Sequence, residues 1–280
     1  MSSGAEQHSP GNRARRHFLG VMVAVGARVA AASSAAVTIS SLSAQAKDKP
    51  KDKGPKDKPR GPKDRDPNCF LRGTAIMTPA GEVRIEDLRI GDRVETVSGK
   101  AMAIKWIGRR LYRKSGPCWQ NGVMPIRIAR HALDACMPQR DLYLSPSHAL
   151  YIDGVLIRVK ELVNGTSIAP ALPAEGETIE YFNIALESHE VILAEGAPAE
   201  TFLLRANNHE NFTNFAEFER LRPVEAAPAM APFAPVAGYE GGREHLGALL
   251  RLAAPRFIPV RDPVRDAYER IASRARTLVG

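Results

Sequence analysis

The sequence predicts an all-β fold for residues 68–205, followed by a partly helical extension. Short alternations of apolar and polar residues recur along this region, and Gly, Pro and Asp turn residues separate them. Many short strands with little helix are typical of an all-β domain. Residues 85–88 are expected to form one helical turn. The alternation predicts strands at residues 103–107, 124–129, 141–144, 150–152, 155–159, 179–186 and 190–193.

Composition and charge exclude several classes of protein. With 44% hydrophobic and 25% charged residues over 280 positions, the chain is neither fully disordered nor collagen-like, and only one apolar stretch argues against a polytopic membrane protein. Of the net charge of +8, residues 1–46 carry +3 and residues 47–67 carry +4, which leaves +1 for the remainder. The basic residues therefore lie outside the expected fold, and nucleic-acid binding is not predicted.

Residues 1–46 have the order of features found in an export signal. The Arg15-Arg16 pair precedes a weakly apolar stretch, and an Ala/Ser-rich run ends in a small-x-small pattern at Ala46. This order is similar to a bacterial twin-arginine signal and predicts cleavage after Ala46. Arg28 interrupts the apolar stretch, so no stable membrane span is expected. The protein is expected to be exported by a bacterium to the periplasm or the cell surface, or to be secreted. The alternative is a disordered, Arg-containing N-terminus.

Residues 47–67 predict a disordered linker. The segment repeats Lys-Asp-Lys-Pro and contains no Val, Ile, Leu or aromatic residue. It has nothing with which to form a hydrophobic core, so it should remain extended and solvated. The composition changes abruptly at Asn68, which is where the domain is expected to begin.

The domain contains a series of short motifs that follow one another in a fixed order. They are Cys69-Phe70 with Gly73-Thr74, Thr78-Pro79 and Gly91-Asp92, then Ser145-Pro146-Ser147-His148, then Glu187-Ser188-His189-Glu190. Together they resemble the Hint domain, the fold shared by Hedgehog autoprocessing domains and inteins, and in particular its stand-alone bacterial form. The resemblance covers residues 68–205 and implies a compact Hint β-fold.

The resemblance also implies a reaction, because in that family the first residue of the domain attacks the carbonyl group before it. Here the Cys69 sulfur would attack the Asn68 carbonyl and convert the amide into a thioester. The family's Thr-x-x-His motif corresponds to Ser145 and His148, which implies that His148 bonds to the scissile amide with Ser145 as its hydroxyl partner. His189 corresponds to a later histidine that assists acyl transfer or breakdown of the intermediate.

Protein splicing is disfavoured by the sequence. It needs a C-terminal His-Asn pair followed by Cys, Ser or Thr, and this order does not occur. The expected outcome is self-cleavage or acyl transfer, with the chain's own upstream segment and an external nucleophile (water, a thiol or an amine) as partners. Asn183 lies near the position where inteins have a catalytic Asp. An amide cannot act as a base, which disfavours fast turnover.

Two other functions are compatible with these residues. The first is an exported, non-catalytic Hint-fold interaction module, because cleavage before Cys69 would release only a tether. The second is a cysteine hydrolase acting in trans with Cys69 and His148. It is favoured least, because intramolecular attack gains its effective concentration from the chain itself. No cofactor is predicted, and no CxxC or His-rich spacing indicates a metal site.

The two other cysteines, Cys118 and Cys136, leave two alternatives open. In an oxidising compartment they would pair with each other and leave Cys69 as a free nucleophile. Folding in a reducing cytoplasm before twin-arginine export would leave them as two unpaired buried thiols.

Residues 206–280 predict a C-terminal extension with short helices. Residues 245–252 and 264–278 have helical periodicity, and Asp262 followed by Pro263 provides an N-cap and a first helical residue. The apolar stripe of the second helix should pack on the domain or on a partner. Three phenylalanines recur every third residue and predict the buried face of a further short helix: Phe212, Phe215 and Phe218.

Overall fold

The computed structural model describes residues 68–119, 122–173, 176–205, 208–221, 230–237 and 262–279. The predicted export signal, the linker and the helix at 245–252 lie outside these residues and stay predictions. Within the described ranges, no helix is long and apolar enough to cross a membrane.

The described residues form a mainly β structure, which confirms the predicted fold class. The strands are β1 (Phe70–Leu71), β2 (Ala75–Thr78), β3 (Gly81–Arg84), β4 (Arg93–Glu95), β5 (Ala101–Ala103), β6 (Trp106–Arg113), β7 (Ile126–Ile128), β8 (Leu142–Leu144), β9 (Ala149–Ile152), β10 (Val155–Arg158), β11 (Ile168–Pro170), β12 (Thr178–Ala185), β13 (Val191–Ala194), β14 (Ala197–Glu200) and β15 (Val236–Ala237). The helices are α1 (Phe215–Leu221) and α2 (Pro263–Val279), and 3-10 turns occur at Ile85–Asp87, Val159–Leu162 and Asn208–Asn211.

The strands form two large sheets and one hairpin. The six-stranded sheet has the order β11-β7-β8-β1-β12-β6, and the seven-stranded sheet has the order β15-β10-β9-β14-β13-β2-β3. Strands β4 and β5 form the hairpin. The pairs are antiparallel except for β15, which runs parallel to β10.

The position of β1 decides where the chemistry-bearing residues meet. Phe70 in β1 pairs with Leu144 of β8 on one side and with Phe182 of β12 on the other. One step back along β1, the antiparallel register therefore sets Cys69 beside Ser145 and Asn183. Residues far apart in the sequence are brought together at the N-terminal end of the domain.

The C-terminal helix α2 completes the hydrophobic core. Val264, Ala267 and Ile271 are buried in the same cluster as the strand residues of both sheets. The Asp262 carboxylate accepts a hydrogen bond from the Val264 N–H at 3.0 Å, as expected for an N-cap. The predicted apolar stripe thus packs on the domain itself, although Tyr268 within it remains partly exposed.

The aromatic residues before α2 pack on the six-stranded sheet. Trp106 makes edge-on contacts with Phe212 at 5.1 Å and with Phe218 at 5.0 Å between ring centroids. The prediction that Phe215 shares this buried face is wrong, because Phe215 is 39% exposed. Helix α1 begins only at Phe215, so Phe212 reaches the core from the turn that precedes the helix.

Cys118 and Cys136 are both free thiols in the structure. This agrees with the unpaired alternative, but the expected burial is wrong, since Cys118 is exposed and Cys136 is half-buried. Cys118 lies in the loop between β6 and β7.

Replacement of Gly108 by Ala tests whether the extension is part of the domain. A methyl group at Gly108 would lie 2.6 Å from Phe212 Cδ1 and 2.7 Å from the Trp106 ring. We expect Gly108→Ala to lower the free energy of unfolding by about 1–3 kcal/mol, because this packing must open. Urea unfolding measures the change. Gly116→Ala is the matched control, since its methyl group would meet no atom within 4 Å. Equal stability of the two variants would contradict the packing described.

Candidate active site around Cys69

Cys69 is fully buried, and Ser145 makes hydrogen bonds to both its backbone N–H and its backbone carbonyl. The Cys69 N–H donates a hydrogen bond to Ser145 Oγ at 2.8 Å. The Cys69 carbonyl accepts one from the Ser145 N–H at 2.9 Å. Ser145 follows β8 directly, so the strand pairing with β1 makes these contacts. The nitrogen of the Asn68–Cys69 peptide bond is therefore held in a defined orientation.

The carbonyl group of the Asn68–Cys69 peptide bond is contacted from β12, the strand on the other side of β1 from Ser145. Asn183, fully buried in β12, donates a hydrogen bond from its Nδ2 to the Asn68 carbonyl oxygen. Its own Oδ1 accepts the Ile184 N–H at 2.8 Å, which orients the amide so that its NH2 group faces this carbonyl. The sequence alone predicts only that Asn183 cannot act as a base. In the structure, it is a hydrogen-bond donor to the candidate scissile carbonyl.

Glu200, which the sequence analysis did not single out, lies at the centre of the site. It is buried at the end of β14, and its Oε1 accepts hydrogen bonds from Asn68 Nδ2 at 2.7 Å and from the Ala149 N–H at 2.8 Å. Its Oε2 lies 3.4 Å from His189 Nε2. The sequence feature that could have indicated Glu200 is its position as the one carboxylate at the end of a short, otherwise apolar strand.

His148 is fully buried beside this network. Its Nε2 lies 3.1 Å from the Glu200 backbone oxygen, and its Nδ1 has no hydrogen-bond partner among the described residues. Burial lowers the pKa of His148 to about 4, and the charge of Glu200 and the backbone groups of Glu200 and Cys69 oppose this shift only in part. The Cys69 N–H donates its hydrogen bond to Ser145 Oγ, and the bond from His148 to the scissile amide stays a prediction.

His189 reaches the site through Glu200. Its Nδ1 accepts a hydrogen bond from the Phe233 N–H at 2.9 Å, so the ring proton must be on Nε2, which faces Glu200. Phe233 belongs to the C-terminal extension, beyond residue 205. The extension therefore determines which nitrogen of His189 carries the proton.

The electrostatics keep the nucleophile candidate neutral. Burial raises the pKa of the Cys69 thiol, and the positive charge of Arg110 opposes the shift only in part. The thiol is thus protonated at neutral pH in the resting chain. Within the part of the chain that the structure describes, no group of three or more His, Cys, Asp or Glu side chains could hold a metal ion.

Comparison with known proteins gives a family match over the same residues. The model of the Hint domain family matches residues 68–206. No curated protein matches the chain. The match begins at Asn68, the residue whose carbonyl group Asn183 contacts.

Several solved structures are similar over about half of the chain. The bacterial intein-like domain from Clostridium thermocellum is 14% identical, covers 48% of this chain and 98% of its own, and has a TM-score of 0.35. The DnaB intein from Synechocystis sp. is 12% identical, covers 49% of this chain and 99% of its own, and has a TM-score of 0.33. The MchDnaB-1 intein (N145AA) is also 12% identical, with 48% and 99% covered and a TM-score of 0.34.

The family match and the β architecture agree on the nature of the described domain. The match spans residues 68–206, and strands β1 to β14 lie within it. The chain is therefore a Hint-domain protein, with residues 68–206 forming the Hint domain.

Proposed function

We propose that this chain cleaves itself at the Asn68–Cys69 bond through an N-to-S acyl shift, without splicing. One observation carries the proposal: buried side chains hold both ends of this peptide unit, Asn183 at the carbonyl oxygen and Ser145 at the nitrogen. Fixing both ends of the peptide bond in this way supports attack by the thiol of the residue that follows it.

The first step forms a thioester and frees an amine. Cys69 Sγ bonds to the Asn68 carbonyl carbon, and the bond from that carbon to the Cys69 nitrogen breaks. The thiol proton ends on that nitrogen. While the tetrahedral intermediate exists, the carbonyl oxygen carries negative charge, and the Asn183 NH2 group stabilises it as an oxyanion-hole donor does.

His148 is suited to carry the proton between sulfur and nitrogen. Because burial lowers its pKa to about 4, the ring is neutral at pH 7 and has a free nitrogen to accept a proton. Once protonated, a ring with such a low pKa is a strong acid and gives the proton readily to the leaving amine. Ser145, already bonded to that amine nitrogen, would hold it in place.

The second step transfers the acyl group to an external nucleophile: water, a thiol or an amine. Water would give an Asn68 carboxylate and restore the Cys69 thiol. An open pocket of about 590 Å³ is lined in part by Ser188 and Glu190, the chain neighbours of His189, and by Phe233, whose N–H bonds to His189 Nδ1. The His189 side chain itself is buried. These contacts support the proposal that His189 assists a nucleophile that enters from this side.

We further propose that cleavage detaches the domain from its N-terminal segment after export. The Arg15-Arg16 pair and the small-x-small pattern at Ala46 support export to the periplasm or cell surface of a bacterium. The second candidate function is a non-catalytic interaction module. The fully buried Cys69 thiol with its raised pKa favours this alternative.

Intact mass of the purified full chain, with and without a small thiol, tests the cleavage. We expect a fragment that begins at Cys69, formed faster with thiol because the thiol attacks the thioester. Cys69→Ala should remain whole. A wild-type chain that stays whole at every thiol concentration and pH would favour the interaction module.

Asn183→Asp separates the donor role from a base role. The replacement keeps the size of the side chain but removes the NH2 donor to the Asn68 carbonyl. If Asn183 stabilises the oxyanion, the cleavage rate falls about 100-fold or more. Faster cleavage in the Asn183→Asp chain would show instead that the wild-type reaction lacks a base at position 183. Circular dichroism of both chains controls for folding.

The burial of His148 predicts a pH-dependent stability. Its pKa is about 4 in the folded chain and near 6.5 when unfolded, so between these values the unfolded state binds the extra proton. The stabilisation is complete above pH 6.5, and about 3 kcal/mol is lost as the pH falls to 4. Urea unfolding of Cys69→Ala measures the loss. His148→Gln in the same background should flatten the plot of unfolding free energy against pH. Parallel plots for the two chains would refute the attribution of the loss to His148.

A further inference from the structure

We propose that Glu200 determines specificity: its buried carboxylate selects an asparagine side chain at position 68, immediately before the scissile bond. This inference rests on the proposed self-cleavage, because it concerns the residue that would supply the acyl group. It adds a recognition site for that residue to the reaction.

Asn68 makes two hydrogen bonds, one through its side chain and one through its main-chain carbonyl, and loss of the first would disturb the second. Its side-chain NH2 donates to Glu200 Oε1 at 2.7 Å, while its main-chain oxygen accepts the bond from Asn183. Glu200 lies in one sheet and Asn183 in the other. Loss of the side-chain contact would let residue 68 rotate and move its carbonyl away from Asn183. Glu200 therefore acts on the reaction by positioning the electrophile.

The surroundings of Glu200 favour a neutral donor at position 68. The carboxylate already accepts the Ala149 N–H at 2.8 Å and faces His189 Nε2 at 3.4 Å. The Ala149 donor is an uncharged backbone group, and the carboxylate is buried. A buried carboxylate depends on the number of hydrogen bonds that it accepts, so the Asn68 NH2 is a required partner.

Other residues at position 68 fit this pocket less well. An Asp would bring a second carboxylate against Glu200, and two such groups at one buried site cannot both be ionised. An Ala would remove a donor from Glu200 Oε1. A Gln would carry its amide one methylene further and displace the carbonyl.

A double-mutant cycle on the full chain tests this recognition. We expect Asn68→Asp to slow cleavage at pH 7 about tenfold or more, because it sets two carboxylates against each other. In the Glu200→Gln background, the same change should slow cleavage less than about threefold, since the repulsion is gone. Any effect of residue 68 on the electrophile itself is the same in both backgrounds. Glu177→Gln, at an exposed position, is the matched control and should leave the tenfold effect intact.

The same cycle on the Cys69→Ala chain gives a readout that needs no cleavage. Asn68→Asp should lower the Tm by about 3 °C or more, and by less when Glu200 is Gln. Cleavage that Asn68→Asp leaves unchanged, or slows equally in both backgrounds, would overturn this inference and leave the proposed function standing. Coupling in the Tm with no cleavage in any chain would overturn the proposed function and, with it, the role of Glu200 in specificity, and would leave only the contact between Glu200 and Asn68.

Discussion

The site depends on the pairing of β1 between β8 and β12. This short strand carries Phe70 against Leu144 and Phe182, and its register sets the residue before it beside Ser145 and Asn183. The contacts join positions 76 and 115 residues apart in the sequence. A shift of the register by one residue would turn the Cys69 side chain to the other face of the sheet and break both bonds to the scissile peptide unit. The positions of the side chains in the site are thus determined by the pairing of the backbone strands.

Burial determines the charge state of Cys69 and His148. Burial raises the pKa of Cys69 and lowers the pKa of His148, so both the buried thiol and the buried imidazole are neutral at pH 7. Neither group is strongly activated by itself. The rate of the proposed cleavage would then depend on the alignment of the peptide bond and on the effective concentration of a nucleophile in the same chain. The neutral resting state is consistent with a single intramolecular event.

Local motifs in the sequence identified part of this site and missed the rest for a physical reason. Cys69, Ser145 and His148 lie in short motifs whose spacing can be read along the chain, and the structure brings them together. Glu200 and the donor role of Asn183 arise from contacts between strands, and no local pattern encodes such contacts. The same holds for Phe233, whose N–H reaches His189 from a segment outside the family match. Its contact with a buried histidine makes the C-terminal extension part of the site.

Hydroxylamine trapping tests the proposed thioester at Asn68 directly. Hydroxylamine attacks a thioester much faster than an amide, so the purified full chain should release an N-terminal fragment that ends in a hydroxamate at Asn68. Tandem mass spectrometry of the last peptide of that fragment locates the modification. The account predicts the hydroxamate at Asn68 in the wild-type chain and none in Cys69→Ala. A wild-type chain that stays intact in hydroxylamine, or a fragment that ends elsewhere, would contradict it.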